Sequence, residues 1–280
     1  MLGEPGQRSA EGHRKRRGAL LFVQSAAVMR IDLNADVGEA PPGHTSNDSE
    51  LMSVVTSVSV AAGVHAGDAR SIRATVRLAR EFGVAVGAHP SLDDREGFGR
   101  RECEVDPFNV ERLVVEQIVA VASAAADEGI ELQHVKPHGA LYNMAARDPQ
   151  LAAAVARAVA IFDRRLSLFG PPGSALIDAG RAAGLRTISE AFVDRAYAAD
   201  GSLIPRTSPG AVITDQNVVV DRALRLVLER TVVAVDGATV PIEAETICIH
   251  GDTAGAAMLA AAVLDALTAA HVVVRAPGRV

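Results

Sequence analysis

From Met29 onward the chain alternates between short β-branched runs and longer Ala- and Arg-rich stretches with helical spacing. Seven runs are predicted strands: residues 30–34, 57–61, 84–88, 132–136, 166–169, 185–189 and 246–250. Helical patterns lie near residues 48–56, 69–82, 107–128, 149–161, 173–183, 215–229 and 253–270. Strands that alternate with helices in this way, with no linker between them, indicate parallel βαβ units of an α/β protein.

Polar residues follow nearly every predicted strand, and this feature distinguishes two parallel architectures. A doubly wound sheet and a closed barrel both fit the element order, but a doubly wound sheet needs functional loops only beside its switch point. In a barrel, all the loops that follow the strands converge on one mouth. The pattern therefore predicts a single (β/α) barrel domain over residues 29–280, with a small β-hairpin around Asp236-Gly237.

Residues 1–28 stand outside this alternation. A basic run from His13 to Arg17 precedes an apolar stretch from Ala19 to Val28, an order that resembles a secretory signal. Gln24 and Ser25 interrupt the apolar stretch, and a strand follows at once. We therefore interpret residues 1–28 as a disordered N-terminal extension that takes no part in the fold.

Composition narrows the range of partners. The net charge of −6 and the pI of about 5.8 argue against a basic surface that binds nucleic acid. Cys103 and Cys248 have no metal-binding or redox spacing, which is typical of proteins in a reducing cytosol. No apolar run approaches the length of a membrane span. We expect a cytoplasmic protein that binds a small molecule and neither nucleic acid nor a membrane.

The fourth predicted strand leads into the most unusual stretch of the chain. Lys136, His138, Tyr142 and Asn143 lie within eight positions, at a turn from strand to helix. The sequence has 26 Arg and only two Lys, so a Lys at this turn indicates a role for a compact point charge. The alternative is an ordinary turn with a lysine that extends to solvent.

A cluster of carboxylates accompanies the first predicted strand. Asp32, Asn34, Asp36 and Glu39 lie within eight residues, and Asp32 and Asn34 share one face of the strand. Such carboxylates act as general bases or metal ligands. The alternative is a turn that uses them for local hydrogen bonds. We favour the functional interpretation.

Histidines mark the predicted ends of four different strands: His65, His89, His138 and His250. Packing rarely requires an isolated imidazole at such a position, so four of them at one barrel mouth predict an active site. Asp68 and Asp252 follow two of these histidines closely. Each lies where it would either cap the next helix or contact a ligand.

Two loops carry further charged residues. The loop of residues 91–101 places Phe98 between two glycines and ends in Arg100 and Arg101, which is typical of a mobile lid that clamps a carboxylate or phosphate. A solvated charged loop is the alternative. The long loop after the sixth strand contains Arg195 and Arg206. Because no nucleophile elbow and no P-loop occurs, the mouth favours hydrolysis of a small polar or anionic substrate, with or without a metal.

Taken together, these segments resemble the LamB/YcsF family. The matching residues are 31–39, 63–68, 87–90, 97–101, 135–143, 194–197, 205–206 and 250–253, and they span nearly the whole chain from Met29 to about residue 270. The resemblance implies a distorted TIM-like (β/α)7 barrel related to polysaccharide deacetylases. It also implies a component of the bacterial ATP-dependent 5-oxoprolinase, which hydrolyses the lactam of 5-oxo-L-proline to L-glutamate while ATP becomes ADP and phosphate. Two further subunits, which resemble allophanate hydrolase subunits, are the expected partners.

Our leading hypothesis assigns roles to residues within these segments. The expected catalytic set is Asp36, Glu39, His65, His89, Lys136 and His138. Asp36 or Glu39 would be the general base, and Lys136 and Arg100 would hold a carboxylate or phosphate. The expected substrate-binding set is Asn34, Asp68, Arg100, Arg101, Tyr142, Asn143, Arg195, Arg206, His250 and Asp252. If a divalent metal is bound, its expected ligands are Asp36, His65 and His89.

The chain departs from the usual family sequence at Ser59, Ala62 and Val64. These departures affect the shape of the pocket and therefore the choice of substrate. Two other functions stay open. One is a stand-alone, metal-dependent amidohydrolase or deacetylase that is active without ATP. The other is a non-catalytic subunit that binds the lactam and presents it to its partners.

Overall fold

The computed structural model describes residues 1–3, 29–40 and 46–278. Within these residues the strands are β1 (Arg30–Val37), β2 (Ser57–Ala61), β3 (Ala85–His89), β4 (His134–Val135), β5 (Ser167–Gly170), β6 (Arg186–Phe192), β7 (Thr231–Val233), β8 (Thr239–Pro241), β9 (Thr246–His250) and β10 (Val273–Val274). The α-helices are α1 (Asp48–Met52), α2 (Ala69–Phe82), α3 (Pro107–Asp127), α4 (Gly139–Arg147), α5 (Pro149–Phe162), α6 (Ala175–Ala182), α7 (Gln216–Leu224) and α8 (Ala256–Ala269). A π-helical turn, Arg225–Glu229, continues α7. The predicted disordered extension covers residues 1–28, of which residues 4–28 lie outside the described residues.

Seven parallel strands form a closed barrel. They pair in the order β1, β2, β3, β4, β5, β6 and β9, and β9 pairs back with β1 from Asp32↔Thr246 to Asp36↔His250. Strand β10 adds a short parallel pairing to the start of β1. The predicted TIM-like (β/α)7 barrel is therefore confirmed. The predicted hairpin is confirmed as well, because β7 and β8 pair antiparallel on either side of Asp236-Gly237.

Several element boundaries differ from the prediction. Strands β1 and β6 extend to Val37 and Phe192, so Asp36 and Glu190 lie within strands and not in the loops that follow. Strand β4 has only two residues. Helix α4 was not among the predicted helical ranges, although a helix was expected to begin at the turn beside Gly139. It is separated from α5 by Asp148, whose side chain accepts from the first amides of α5.

The main hydrophobic core lies between the barrel strands and the surrounding helices. Alternate strand residues are fully buried aliphatic side chains that belong to this core, as do buried residues of the helices: Leu33, Val58, Val86, Leu168 and Ile247 from strands, and Val76, Ile118, Val155 and Leu176 from helices. Because side chains alternate along a strand, the residues between these positions point into the barrel.

The barrel interior is largely polar. Asn34 of β1 lies 3.1 Å from the Nζ of Lys136, just after β4, and Ser59 of β2 lies 3.2 Å from His134 of β4. Strand β4 neighbours neither β1 nor β2 in the sheet, so these contacts cross the interior. A TIM barrel is usually filled by branched aliphatic side chains. Here the corresponding space holds a hydrogen-bonded network.

Two further groups of contacts organise the barrel interior, one around Asp32 and one around His134. The carboxylate of Asp32 accepts hydrogen bonds from the hydroxyls of Thr56, Ser57 and Thr246, at 2.6, 2.7 and 2.6 Å. The ring of His134 stacks on Phe169, with 4.2 Å between the ring centroids. His134 fits because Gly87 of β3 has no side chain, since a Cβ there would overlap the imidazole.

We expect Gly87→Ala to destabilise the fold by about 1–3 kcal/mol, the usual cost of overpacking a dense interior. Urea denaturation measures the loss as a shift in midpoint. In a His134→Ala background the same substitution should cost clearly less, because the overlapping ring is gone. An equal cost in both backgrounds would contradict this account.

Candidate active site

The carboxyl ends of the barrel strands bring five buried polar side chains together. Asp36 comes from β1, His89 from the end of β3, Lys136 from the residue after β4, Glu190 from β6 and His250 from the end of β9. Parallel strands that close into a barrel place these ends around one opening. The predicted convergence of strand ends is thus observed in the geometry.

A buried ion-pair network occupies the centre of this opening. The Nζ of Lys136 lies 2.9 Å from Asp36 Oδ1 and 2.8 Å from Glu190 Oε1, and it donates to Asn34 Oδ1. Burial alone would lower the pKa of Lys136, but the charges of Asp36 and Glu190 raise it well above its ordinary value. Burial would likewise raise the pKa of Asp36, but His89 and Lys136 hold it well below its ordinary value. Both groups are therefore charged at neutral pH.

His89 and His138 face each other beside this network. His89 donates from Nδ1 to the carbonyl of Lys136 at 2.7 Å, and His138 donates from Nε2 to the carbonyl of Phe98 at 2.8 Å. The remaining nitrogens, His89 Nε2 and His138 Nδ1, are 3.0 Å apart. Two backbone carbonyls therefore fix which nitrogen of each ring points toward the site.

His65 joins His89 and His138 in a group that we call the histidine cluster, and Glu39 contacts all three rings. Glu39 Oε1 lies 3.1 Å from His65 Nε2, 3.4 Å from His138 Nδ1 and 3.8 Å from His89 Nε2. Burial and the charge of Asp36 raise the pKa of Glu39 to about 7. Burial lowers the pKa of His65 to about 4, and its ring stacks on that of His138 at 3.9 Å. Glu39, His89 and His138 offer ligand atoms within 4.8 Å of one another, a spacing that a metal ion can bridge.

The loop of residues 91–101 covers the histidine cluster. The ring of Phe98 contacts His65 and His138 edge-on, with 5.5 Å between the centroids in each pair. The carbonyl of Gly99 accepts from the amide of Ala140 at 2.8 Å, and a Cβ on Gly139 would collide with that carbonyl. The backbone of the loop therefore docks directly on the first turn of α4.

Three charged residues form ion pairs at the rim, and one of them, Arg100, belongs to this loop. Asp252 accepts from Arg100 at 2.6 Å and from Arg206 at 2.7 Å, so one carboxylate joins two loops. Asp252 was considered as a helix cap, and that alternative is wrong because Gly255 is the N-cap of α8. The capping alternative is confirmed for Asp68, whose carboxylate accepts from the amides of Arg70 and Ser71 at the start of α2.

The opposite wall of the mouth contains His250. Its Nδ1 lies 3.0 Å from Asp194 Oδ1, and its ring stacks on Phe192 at 5.1 Å. Burial would raise the pKa of Asp194, but His250 and the hydroxyl of Thr253 hold it below its ordinary value. Tyr142 also lies here, and burial together with Glu190 raises its pKa well above the ordinary value. The Tyr142 hydroxyl therefore keeps its proton and is a donor at neutral pH.

Comparison with known proteins agrees with this architecture. The LamB/YcsF family profile matches residues 31–280. The chain belongs to the LamB/YcsF family. A relative from Chloroflexus aggregans, named as the A subunit of 5-oxoprolinase, is 52% identical over 89% of this chain and 100% of its own length. A protein of the same name from Symbiobacterium thermophilum is 51% identical over 90% of this chain and 97% of its own length.

A solved structure of the family resembles this chain closely. The lactam utilization protein from Thermus thermophilus is 46% identical, covers 89% of this chain and 100% of its own, and superposes with a TM-score of 0.83. As for membrane association, the helices in the described part of this LamB/YcsF chain are all too short or too polar to span a bilayer.

Some of the predicted substrate-binding residues of this LamB/YcsF chain lie away from the mouth or are used within the fold. Arg101 is paired with Asp94 on the outside of the loop, and Asn143 is exposed on α4. Arg195 is buried and donates to the carbonyls of Ala211 and Ile204, so it holds the β6–α7 loop. Asn34 is fully buried in the Lys136 network. Their binding roles stay predictions.

Glu190 and Asp194 are site residues that sequence reasoning did not select. Glu190 and Phe192 lie two positions apart and therefore share one face of β6, so a strand that continued to Phe192 would place the Glu190 carboxylate on the inner face. Asp194 lies two residues after the end of β6 and reaches His250. The available signal was a polar residue at alternate positions of several strands, which is unusual for buried parallel strands.

We expect Asp194→Asn to lower the free energy of unfolding by about 1.5–3 kcal/mol at pH 7, the range for hydrogen bonds to charged groups. Because the folded-state pKa of Asp194 is depressed, its contribution is present above the unfolded pKa of about 3.8 and is lost as the pH falls through the folded value. Urea denaturation between pH 7 and pH 3 should therefore show the deficit shrinking at the acid end.

Asp178→Asn is the control, since Asp178 is exposed on α6 and its ion pair with Arg181 spans 3.7 Å. That variant should change stability by less than about 0.5 kcal/mol at every pH. A pH-independent deficit for Asp194→Asn would contradict the assigned charge.

Proposed function

We propose that this chain is the A subunit of an ATP-dependent 5-oxoprolinase, which opens the lactam of 5-oxo-L-proline to L-glutamate in a complex with two further subunits. The full-length match to relatives named as that subunit supports this function. The observation that carries it in the molecule is the Asp36–Lys136–Glu190 network beside the histidine cluster, under a loop with an arginine at the rim.

The chemistry of a lactam fits this arrangement. A five-membered lactam is a resonance-stabilised amide, so water alone opens it slowly. Transfer of a phosphoryl group from ATP to the lactam oxygen would release ADP and make that oxygen a leaving group. One water adds to the ring carbon, and the C–N bond breaks as the nitrogen takes a proton, which leaves glutamate with an acyl phosphate on its side chain. A second water then hydrolyses this acyl phosphate and releases L-glutamate and phosphate. In this proposal the present chain holds the lactam and activates the water.

Two carboxylates suit water activation. Asp36 is ionised and fixed by Lys136, and Glu39 lies close by: Asp36 Oδ2 and Glu39 Oε1 are 3.3 and 3.8 Å from His89 Nε2. Lys136 provides a permanent positive charge where negative charge develops on the lactam or phosphoryl oxygens. Tyr142, whose ring contacts that of Phe192, is a second donor.

The rim suggests how the substrate carboxylate is recognised. Arg100 and Arg206 both bind the carboxylate of Asp252, so they already form a two-arginine carboxylate site. We propose that the carboxylate of 5-oxoproline takes the place of Asp252 between these guanidinium groups. This would hold the lactam ring below them, toward Lys136 and the histidines.

The function is tested by glutamate release from 5-oxoproline by the chain alone and with two candidate partners that resemble allophanate hydrolase subunits, with and without ATP. Release only with both partners and ATP would support the proposal. Release by the chain alone, abolished by a chelator, would instead indicate a stand-alone amidohydrolase. Glutamate release that survives loss of His89 and His138 in the complex would indicate a non-catalytic binding subunit.

We expect Lys136→Met to lower kcat of the assembled complex by about a hundredfold or more, the usual effect of removing one transition-state donor. Steady-state glutamate release measures this. Arg112→Met removes an exposed cation from α3 and should leave kcat unchanged. Lys136→Arg keeps the positive charge but replaces the compact ammonium with a planar guanidinium, and it should fold without regaining full activity. Full turnover by Lys136→Met would refute the role of Lys136.

We expect Arg206→Gln to raise KM for 5-oxoproline about tenfold to a hundredfold, which corresponds to about 1.4–2.8 kcal/mol. The effect on kcat should be smaller, because Arg206 contacts the bound carboxylate and not the reacting carbon. Steady-state kinetics separate the two constants. Arg101→Gln, a change at the neighbouring arginine that pairs with Asp94, is the control and should leave KM near its original value.

A further inference from the structure

We propose that Glu39, His89 and His138 form a binding site for one divalent transition-metal ion, with Zn²⁺ as the fitting class. This site goes beyond the proposed function, because an ion can bind here whatever substrate the mouth accepts. It shares His89 with the set predicted from the sequence and replaces Asp36 and His65 with Glu39 and His138.

The orientation of both imidazoles supports the site. His89 donates from Nδ1 to the carbonyl of Lys136, and His138 donates from Nε2 to the carbonyl of Phe98. Histidine ligands of metals almost always donate their other N–H to such a carbonyl or carboxylate. The nitrogens left to bind an ion, His89 Nε2 and His138 Nδ1, are the two that face each other.

The spacing of the three ligand atoms fits an ion. The atoms His89 Nε2, His138 Nδ1 and Glu39 Oε1 are separated by 3.0, 3.4 and 3.8 Å. A triangle with these edges has a point about 2.0 Å from all three corners, which matches Zn–N and Zn–O bond lengths. Two imidazoles and one carboxylate are a ligand set for Zn²⁺ and its neighbours, whereas Mg²⁺ and Ca²⁺ prefer oxygen.

The charge of the surroundings favours a cation. Asp36, Glu39 and Glu190 are three buried carboxylates at the site. Among the described residues, Lys136 forms ion pairs with Asp36 and Glu190 only. In the same part of the chain, the ion pairs of Glu39 are all with histidines. A divalent ion at the triangle would offset the carboxylate that Lys136 does not reach.

A metal ion at this site would also give Asp36 and Glu39 different roles. Glu39 as a ligand is occupied by the ion, and Asp36 is left as the proton acceptor beside it, with Oδ2 3.3 Å from His89 Nε2. The choice between Asp36 and Glu39 as general base, which the sequence left open, then falls on Asp36.

The test is direct metal binding by the purified full-length chain, after chelator treatment and dialysis. Co²⁺ is titrated as a visible-absorbing probe and Zn²⁺ by calorimetry, so no enzymatic activity is needed. We expect one ion per chain, and we expect Glu39→Gln and His138→Ala each to weaken binding by more than the tenfold to hundredfold typical of outer-shell changes. Far-UV circular dichroism checks that each variant is folded, and either variant suffices if the other does not fold.

His271→Asn is the matched control, because His271 is exposed and has a φ of 59°, which Asn tolerates. It should bind Co²⁺ like the unaltered chain. Two results would overturn the proposal. One is the absence of stoichiometric binding, which would mean that a proton and not a metal joins His89 and His138. The other is binding that Glu39→Gln and His138→Ala leave unchanged.

Discussion

The Lys136 ion pairs are the constraint on which the rest of the structure depends. A charge without a partner in the barrel interior would be very costly, so Lys136 requires Asp36, Glu190 and Asn34 around it. These partners come from β1 and β6, on opposite sides of β4 around the barrel. The network therefore fixes how three strands are arranged, and its position at their carboxyl ends is where an enzyme needs charge.

The polar interior changes what holds the barrel together. Apolar burial is concentrated in the layer between strands and helices, and a second, small apolar cluster of Tyr142, Phe192 and Cys248 lies inside. Inside the barrel, hydrogen bonds such as those of Asp32 to three hydroxyls satisfy the buried groups. The outer layer can thus supply stability while the inner layer is specialised for charge.

Much of the fold could be predicted from the sequence, because strand and helix periods are local properties. The histidines His65, His89 and His138 were recognisable for the same reason, since each comes at or soon after the end of a strand. Contacts between distant segments were not recognisable. Asp252 meets Arg100 across 152 positions and Arg206 across 46, and no local pattern distinguishes these pairings from a helix cap. Glu190 was missed because β6 runs further than its β-branched run.

The buried mouth has a consequence for how a substrate reaches it. Asp36, His89, Lys136 and His138 are all nearly inaccessible, so a substrate would reach them only if the loop that carries Phe98 and Arg100 moved aside. At the rim this motion would break partly exposed ion pairs, which are usually worth little, and below them it would break the hydrogen bonds of the Phe98 and Gly99 carbonyls to His138 and Ala140. If the rim binds a substrate carboxylate as proposed, that carboxylate would offer Arg100 a partner equivalent to Asp252, so the rim would exchange one ion pair for another. The strong charges stay below, where they do not have to move.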